Sequence, residues 1–451
     1  MTDAMHQSGS NPRVRNAIFH YASDRIDVDP PLDGPRSLSE LQNEAGQTIT
    51  EEGLGGEAAL KLFADVLAPA TISTDHPNYL SFIPTAPTEL ATMFDLVVSA
   101  SSIYGGSWKE GAGAVYAENQ VLEFLAKECG LPDSAGGVFV QGGTLGNLSA
   151  LVAAREKAKS KLGNQSWAII CSSEAHSSIK AVAKVMDCEV VLGEAGALGS
   201  MTGQSAEQAV LAAKESGLTP FAIVGTAGTT NFGILDDLAG IAEAAKRHDL
   251  WFHVDGAYGL AGVLVPELKP LYAGVEQADS FIVDPHKWLF APFDACALVY
   301  REPEFGRAAH TQHGEYLDVL THSGEFNPSD YAFNLTRRVR GLPLWFSMAS
   351  HGVALYRQAI AANVKLAHQI ADEISSRSYL KLVREPQLSV VVFERVGWEL
   401  ADYEAWSEKL LADQFAFVVP SSHAGKPNTR FAIVNPLTKL EDLIKIIDSM
   451  E

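Results

Sequence analysis

Seven short apolar runs between residues 138 and 300 leave this chain few ways to fold. They are VFVQ (138–141), WAIIC (167–171), EVVL (189–192), FAIVG (221–225), WFHVD (251–255), FIV (281–283) and ACALVY (295–300). Helix-length segments separate most of them, including TLGNLSALVAAREKAKSKL, SSIKAVAKVM, AEQAVLAAKESG and DDLAGIAEAAKRHD. The last opens with acids and closes with bases, as a helix dipole favours. Runs that are apolar throughout need cover on both faces. The pattern therefore predicts an α/β fold with a mostly parallel central sheet and helices on both of its sides. In such sheets ligands sit at the carboxyl ends of the strands.

The pattern changes after Leu342. A helical segment (344–377) leads to LSVVVFE (388–394), FAFVVP (415–420), RFAIV (430–434) and a closing helix LEDLIKIIDSM, which together read as a small C-terminal α+β domain. Residues 1–50 are polar and broken by DVDPPLDGP, so they form a turn-rich arm that needs another surface, such as a second subunit, to pack on. The division expected is an arm at 1–74, a large domain at 75–345 and a small domain at 346–451.

Charge and cysteine usage narrow the setting. The 55 acids against 34 bases give a net charge of −21, which repels phosphate backbones and argues against nucleic acid as a partner. No apolar run approaches the roughly 18 residues of a membrane span, and the opening residues lack the apolar core of a signal peptide. Cys129, Cys171, Cys188 and Cys296 are scattered without CxxC or histidine spacing. They read as free thiols in a reducing compartment, with no metal site, and the expected location is cytoplasmic.

The loops that follow the strands carry the chemistry. GGTLGN follows the first and opens a helix, whose N–H groups and dipole suit a phosphate. His176 follows the second in SSEAH, Thr226 follows FAIVG, Asp255 closes WFHVD, and Lys287 lies in DPHK after FIV. Each alone has a bland explanation: a tight turn, a surface histidine, a solvated acid. Their delivery to one edge does not. An anion site, a flat ring, a hydroxyl, a carboxylate and an amine together suit pyridoxal 5'-phosphate. Its aldehyde takes a lysine as a Schiff base, and its pyridine nitrogen takes an acid that keeps it protonated. Lys287 and Asp255 fill those two roles, and His176 can stack on the ring.

HVDGAYG (253–259) and DPHKWL (284–289), with QGGTLGN and SSEAHSSIKAV upstream, resemble the group II pyridoxal phosphate-dependent amino-acid decarboxylases, and the aromatic-L-amino-acid decarboxylases among them. The resemblance covers about residues 70–380. It implies an aspartate aminotransferase-like (fold type I) PLP-dependent transferase fold and a homodimer with its site at the subunit interface. It also implies that Lys287 is the Schiff-base lysine and Asp255 the pyridinium partner. Ala257 and His176 would cover the two ring faces, Gly143, Thr144 and His286 would hold the phosphate, and Thr226 would lie beside the ring. Asp284 departs from the animal aromatic decarboxylases, which carry an amide near the phosphate. A carboxylate would repel phosphate, so Asp284 is expected to turn away or to accept from a backbone N–H.

The same resemblance bears on the reaction. Tyr316, 29 positions past Lys287, matches the loop tyrosine that returns a proton to Cα after CO2 leaves, a step a phenol suits because it stays protonated at neutral pH. Arg337 in NLTRRVRGLPLW matches the arginine that meets the substrate carboxylate in the glutamate decarboxylase branch, with Arg338 and Arg340 as alternatives. HPNYLSFIPTAP (76–87) resembles the segment lining the side-chain pocket, so Phe82, Ile83, Pro84, Thr85 and Trp108 are expected to form an apolar slot for phenylalanine, tyrosine, dopa or tryptophan. Gly105-Gly106 stands where aromatic-selective relatives carry bulk, which leaves the pocket deeper or filled from elsewhere. The expected activity is decarboxylation of an aromatic L-amino acid to its amine. An aldehyde synthase, a decarboxylase of acidic or diamino acids, and a non-catalytic cofactor-binding regulator are the competing readings.

Overall fold

The computed structural model describes residues 11–196, 199–312 and 325–451. The apolar runs form one seven-stranded sheet. Its strands are β1 (Gly136–Val140), β2 (Trp167–Ser172), β3 (Glu189–Gly193), β4 (Thr219–Thr226), β5 (Trp251–Asp255), β6 (Ser280–Val283) and β7 (Cys296–Tyr300), in the spatial order β1-β7-β6-β5-β4-β2-β3. From β3 to β6 all neighbours are parallel, while β7 runs antiparallel to both β6 and β1.

Side chains alternate between the faces of a strand, and here both faces are dry. Ile170, Ile223, Val254 and Phe281 point into one core with the helices Trp108–Glu128, Gly203–Glu215 and Leu238–Arg247. Ile169, Cys171, Val224 and Ile282 point into the other, against the helices Gly143–Leu162 and Ser178–Met186. Each such side chain contributes about 1.5–3 kcal/mol relative to exposure, which pins the register and so the loops at the strand ends.

The two acids expected to open the fourth helix divide their work. Asp237 caps Leu238–Arg247 by accepting from Gly240 N at 3.0 Å. Asp236 is buried and accepts from the backbone N–H groups of Met201 (2.7 Å) and Thr226 (2.8 Å). Burial pushes its carboxyl up to about 7 against the pull of those bonds.

The small domain is an antiparallel sheet of β8 (Leu380–Leu382), β9 (Val390–Arg395), β10 (Pro420–His423) and β11 (Lys426–Ala432), in the order β10-β11-β9-β8. Two expectations fail here. The segment 344–377 is two helices, Leu342–His351 and Val353–Ser376, broken at Gly352, whose φ of 77° is closed to a helix. FAFVVP is not a strand of this sheet. Residues 78–80 occupy its backbone instead, with Phe417 N donating to Asn78 O and Leu80 N to Phe417 O, both at 3.0 Å. That stitch carries the chain directly to Phe82.

The N-terminal arm, expected as irregular, contains the helices Pro12–Asp27 and Leu38–Ala45. Asn11 caps the first and Pro12 stands at its first turn, where a missing N–H costs nothing. Neither helix buries a residue, and Ile18 and Phe19 are each 48% exposed. No helix among the described residues is long and apolar enough to cross a membrane.

Candidate active site

A cavity of about 720 Å³ opens at the carboxyl ends of β1, β2, β4, β5 and β6. Parallel pairing puts Thr226 opposite Asp255 and Asp255 opposite Ile282, so the ends of β4, β5 and β6 are level. Because β7 runs the other way, its first residues meet this edge: Cys296 pairs with Val140 and Ala297 with Val283. The cavity is lined by Gly143, Thr144, His176, Thr226, Asp255, Ala257, His286 and Lys287, together with Phe82 and Ile83.

Asp255 is held on both oxygens. Oδ1 accepts from Ala257 N at 3.2 Å and Oδ2 from Asn147 Nδ2 at 2.9 Å. Lys287 Nζ lies 3.0 Å from Asp284 Oδ2. Burial would lower its pKa, but the Asp284 carboxylate, with Asp255 and Cys296 adding to it, outweighs burial and raises the pKa, favouring the ammonium. Asp284 therefore neither turns away nor spends itself on a backbone N–H; it is 2% exposed and faces the lysine. Trp288, fully buried, donates from Nε1 to Asn363 Oδ1 at 3.0 Å, and Asn363 Nδ2 donates to Asn435 O. That anchor fixes the loop from which Lys287 projects.

The helix Gly143–Leu162 starts at Gly142 with no side-chain cap, so its first N–H groups have no internal acceptor. A Cβ at Gly143 would lie 3.1 Å from Asp284 Oδ2 and 3.3 Å from Ala257 Cβ, so glycine keeps the space before the helix open. Thr226 Oγ1 and Asp284 Oδ1 are buried without a hydrogen-bond partner among the described residues. An uncapped helix start, an orphaned hydroxyl, an amine and a carboxylate suit pyridoxal phosphate: an anion, a ring hydroxyl, an aldehyde and a pyridine nitrogen. His286 Nδ1 engages the backbone of Ala295 (2.7 Å to O, 3.2 Å to N), which leaves Nε2 3.8 Å from Asp284. Burial lowers its pKa, with Asp284 opposing. His176 Nδ1 accepts from Ser178 N at 3.2 Å, so the neutral ring carries its proton on Nε2.

Other expected site residues lie elsewhere. Pro84 is buried, and Thr85 donates to Ala291 O at 3.0 Å; neither lines the cavity. Trp108 begins a helix and donates its backbone N–H to Asn327 Oδ1 at 3.0 Å, also away from the cavity of this chain. Arg337 does not present a free guanidinium. It is 4% exposed, pairs with Glu118 at 2.8 Å and donates to Gly105 O and Phe139 O. Breaking such a pair strands a buried charge at about 3–5 kcal/mol, so Arg337 belongs to the core. Arg338 and Arg340 pair with Asp95 and Asp294. The glycines at 105 and 106 do not deepen the cavity: a Cβ on Gly105 would meet Val339 at 2.5 Å, and one on Gly106 would strike the Tyr104 ring. Tyr316 lies outside the described residues.

Sequence reasoning passed over two residues. Arg430, read only as part of the strand RFAIV, lines the cavity at 9% exposure. It donates to Thr230 O at 2.6 Å, and no carboxylate among the described residues pairs with it. An arginine set in an apolar strand was the available signal, since charge is rarely buried without a purpose. Asn147, in GGTLGN, was quoted as helix-opening sequence and proves to be the partner of Asp255.

Residues 35–396 match the pyridoxal-dependent decarboxylase conserved domain. An aromatic-L-amino-acid decarboxylase of Bacillus atrophaeus is 30% identical over 421 residues, covering 90% of this chain and 87% of the relative. A 4-hydroxyphenylacetaldehyde synthase of Rhodiola rosea is 26% identical over 366 residues, covering 77% and 74%. The crystal structure of Oryza sativa TDC with PLP and tryptamine superposes with a TM-score of 0.92 at 23% identity, covering 99% of this chain and 98% of that one. The sheet, its crossed β7 and the small antiparallel domain thus form the fold type I architecture. The domain match runs unbroken from the arm through the lysine loop into the small domain, and by it the chain belongs to the pyridoxal-dependent decarboxylase family and is a pyridoxal phosphate-dependent amino-acid carboxy-lyase.

Proposed function

We propose that this enzyme decarboxylates an aromatic L-amino acid to its amine and CO2. The observation that carries the reading is Arg430: a buried cation with no acidic partner among the described residues, in the same cavity as Lys287, beside apolar Phe82, Ile83, Leu148, Val182 and Phe293. A guanidinium so placed suits the α-carboxylate, and the apolar lining suits an aromatic side chain. The names of the relatives, an aromatic-L-amino-acid decarboxylase among them, support the same substrate class.

When bound, the cofactor supplies the electron sink for the pair left on Cα as the carboxylate departs. Lys287 would bind its aldehyde, Asp255 would keep its ring nitrogen protonated, and the start of the helix Gly143–Leu162 would receive its phosphate. His176 and Ala257 would flank the ring, with Thr226 beside it. Arg430 orients the substrate carboxylate, and because that attraction weakens as the charge leaves as CO2, the contact must be loose enough not to stabilise the ground state against decarboxylation. Tyr316 returns the proton to Cα.

The uncovered helices Pro12–Asp27 and Leu38–Ala45, with Ile18 and Phe19 exposed, support a homodimer in which the arm of one subunit covers the other. Four cysteines without a disulfide support a cytoplasmic setting.

The test incubates the holoenzyme with each of the twenty amino acids under air and reads CO2, amine, aldehyde and peroxide together. Amine from an aromatic amino acid, without peroxide, is expected. Aldehyde with stoichiometric peroxide from the wild type would make it an aldehyde synthase, and preference for an acidic or diamino acid would sink the aromatic reading. With the best substrate, Arg430→Met should raise KM by about 10- to 100-fold, the scale of a lost charge-assisted bond. Tyr316→Phe should lower amine output by roughly 10²-fold, the scale of a lost general acid, while aldehyde and peroxide rise and KM changes little.

A further inference from the structure

We infer that Asn147 and His253 are positioning residues that hold the Asp255 carboxylate in the orientation its work requires. The inference rests on the reading of Asp255 as the partner of the ring nitrogen.

Five buried groups form one hydrogen-bonded line beneath the cavity. Trp251 Nε1 donates to Ser280 Oγ at 2.8 Å, and Ser280 Oγ lies 2.8 Å from His253 Nδ1. His253 Nε2 lies 2.9 Å from Asn147 Oδ1, and Asn147 Nδ2 donates to Asp255 Oδ2 at 2.9 Å and to Ser178 Oγ at 3.1 Å. His253 and Ser280 are wholly buried, and Asn147 is 1% exposed.

The chemistry of the two ends dictates every direction in between. A carboxylate only accepts, so Asn147 must present its amide NH2 to Asp255. Its oxygen then faces His253, so His253 carries a proton on Nε2. Burial pushes that imidazole down to about 4 despite the pull of Asp255, so the ring is neutral and its Nδ1 is an acceptor. Ser280 must donate to Nδ1, and its lone pairs remain for the indole N–H, which can only donate. One arrangement satisfies all five groups.

A buried histidine is more often mere core. This one has a consequence that a core residue lacks. Were the Nε2 proton missing, the Asn147 amide could reverse and set its oxygen 2.9 Å from Asp255 Oδ2 with no hydrogen between them. The acid would then turn from its bonds to Asn147 and Ala257 N and lose its aim. Asn147 also ties Asp255 to Ser178, whose N–H holds His176 Nδ1. One amide thus sets the acid and the stacking ring relative to each other.

Two measurements on the full-length holoenzyme decide this. Nitrogen-15 NMR of histidine-labelled protein, with the His253 signals assigned by their loss in His253→Phe or by their displacement in Ser280→Ala, should show the Nε2–H tautomer; an Nδ1–H tautomer would overturn the inference. Cofactor labelled with 15N in its ring then reports the nitrogen itself. In Asn147→Leu and His253→Phe the resonance should move toward the unprotonated position, with kcat down roughly 10- to 100-fold and KM nearly unchanged. Ser280→Ala, which removes one hydroxyl, should give the same displacement in smaller measure if the others fail to fold. A ring resonance unmoved in whichever of these variants fold overturns the inference, provided Asp255→Ala does move it. If Asp255→Ala leaves it unmoved as well, the reading of Asp255 fails instead.

Discussion

Lys287→Ala should lose the visible absorbance of the holoenzyme and at least ~10⁴-fold of its activity, the scale seen when a covalent catalytic group is removed. The reason is local. Lys287 projects into the cavity from a loop clamped by Trp288 to Asn363, and it is the one lysine among the described residues that line the cavity. Asp284 holds the amine as an ammonium at 3.0 Å, and the proton must leave before nitrogen can attack the aldehyde. In the wild type, borohydride should bleach the absorbance and leave the reduced cofactor on Lys287 in a peptide map. Recovery of the label on any other lysine would refute the assignment of the whole cavity.

Asp255→Ala should keep cofactor in place yet reduce turnover by about 10³-fold, the scale of losing a preorganised charge at the reacting group. Without an anion beside it the ring nitrogen loses its proton, and the ring no longer draws electrons from Cα. The fold should survive, because Asn147 Nδ2 keeps Ser178 as an acceptor and Ala257 N–H lies at the cavity edge. Cofactor occupancy by absorbance, measured beside kcat, separates lost chemistry from lost binding. Near-normal kcat at full occupancy would show that Asp255 is not the partner of the ring.

Much of this was written in local order. Burial on both faces made most strands of the large sheet visible as continuous apolar runs, because a covered strand rarely carries charge; β3, at the sheet edge, is the least covered. The strand-end rule places Thr226, Asp255 and the lysine loop on one edge from the sequence alone. Where neighbours in sequence compete, local reading failed. FAFVVP has strand composition, but residues 78–80 take its backbone bonds. The helical run after Leu342 has helix composition, but Gly352 adopts a φ of 77°.

The charged residues separate the two levels most clearly. Arg337 and Arg430 both lie within two positions of apolar residues, Leu335 and Val339 for the first and Phe431 for the second, and their sequence surroundings do not say which one is neutralised. Only the fold brings Glu118, 219 positions away, to Arg337 and leaves Arg430 facing the cavity with no acid paired to it among the described residues. Asn147 and Asp255 meet across 108 positions in the same way. Sequence by itself determined the apolar runs of the large sheet and the edge on which their ends lie, since hydrophobic burial and backbone periodicity act over a few neighbours. Tertiary structure alone decided which buried polar groups satisfy one another. A hydrogen bond or ion pair depends on contacts of about 3 Å between segments distant in the chain, and one unmatched charge is what marks the site.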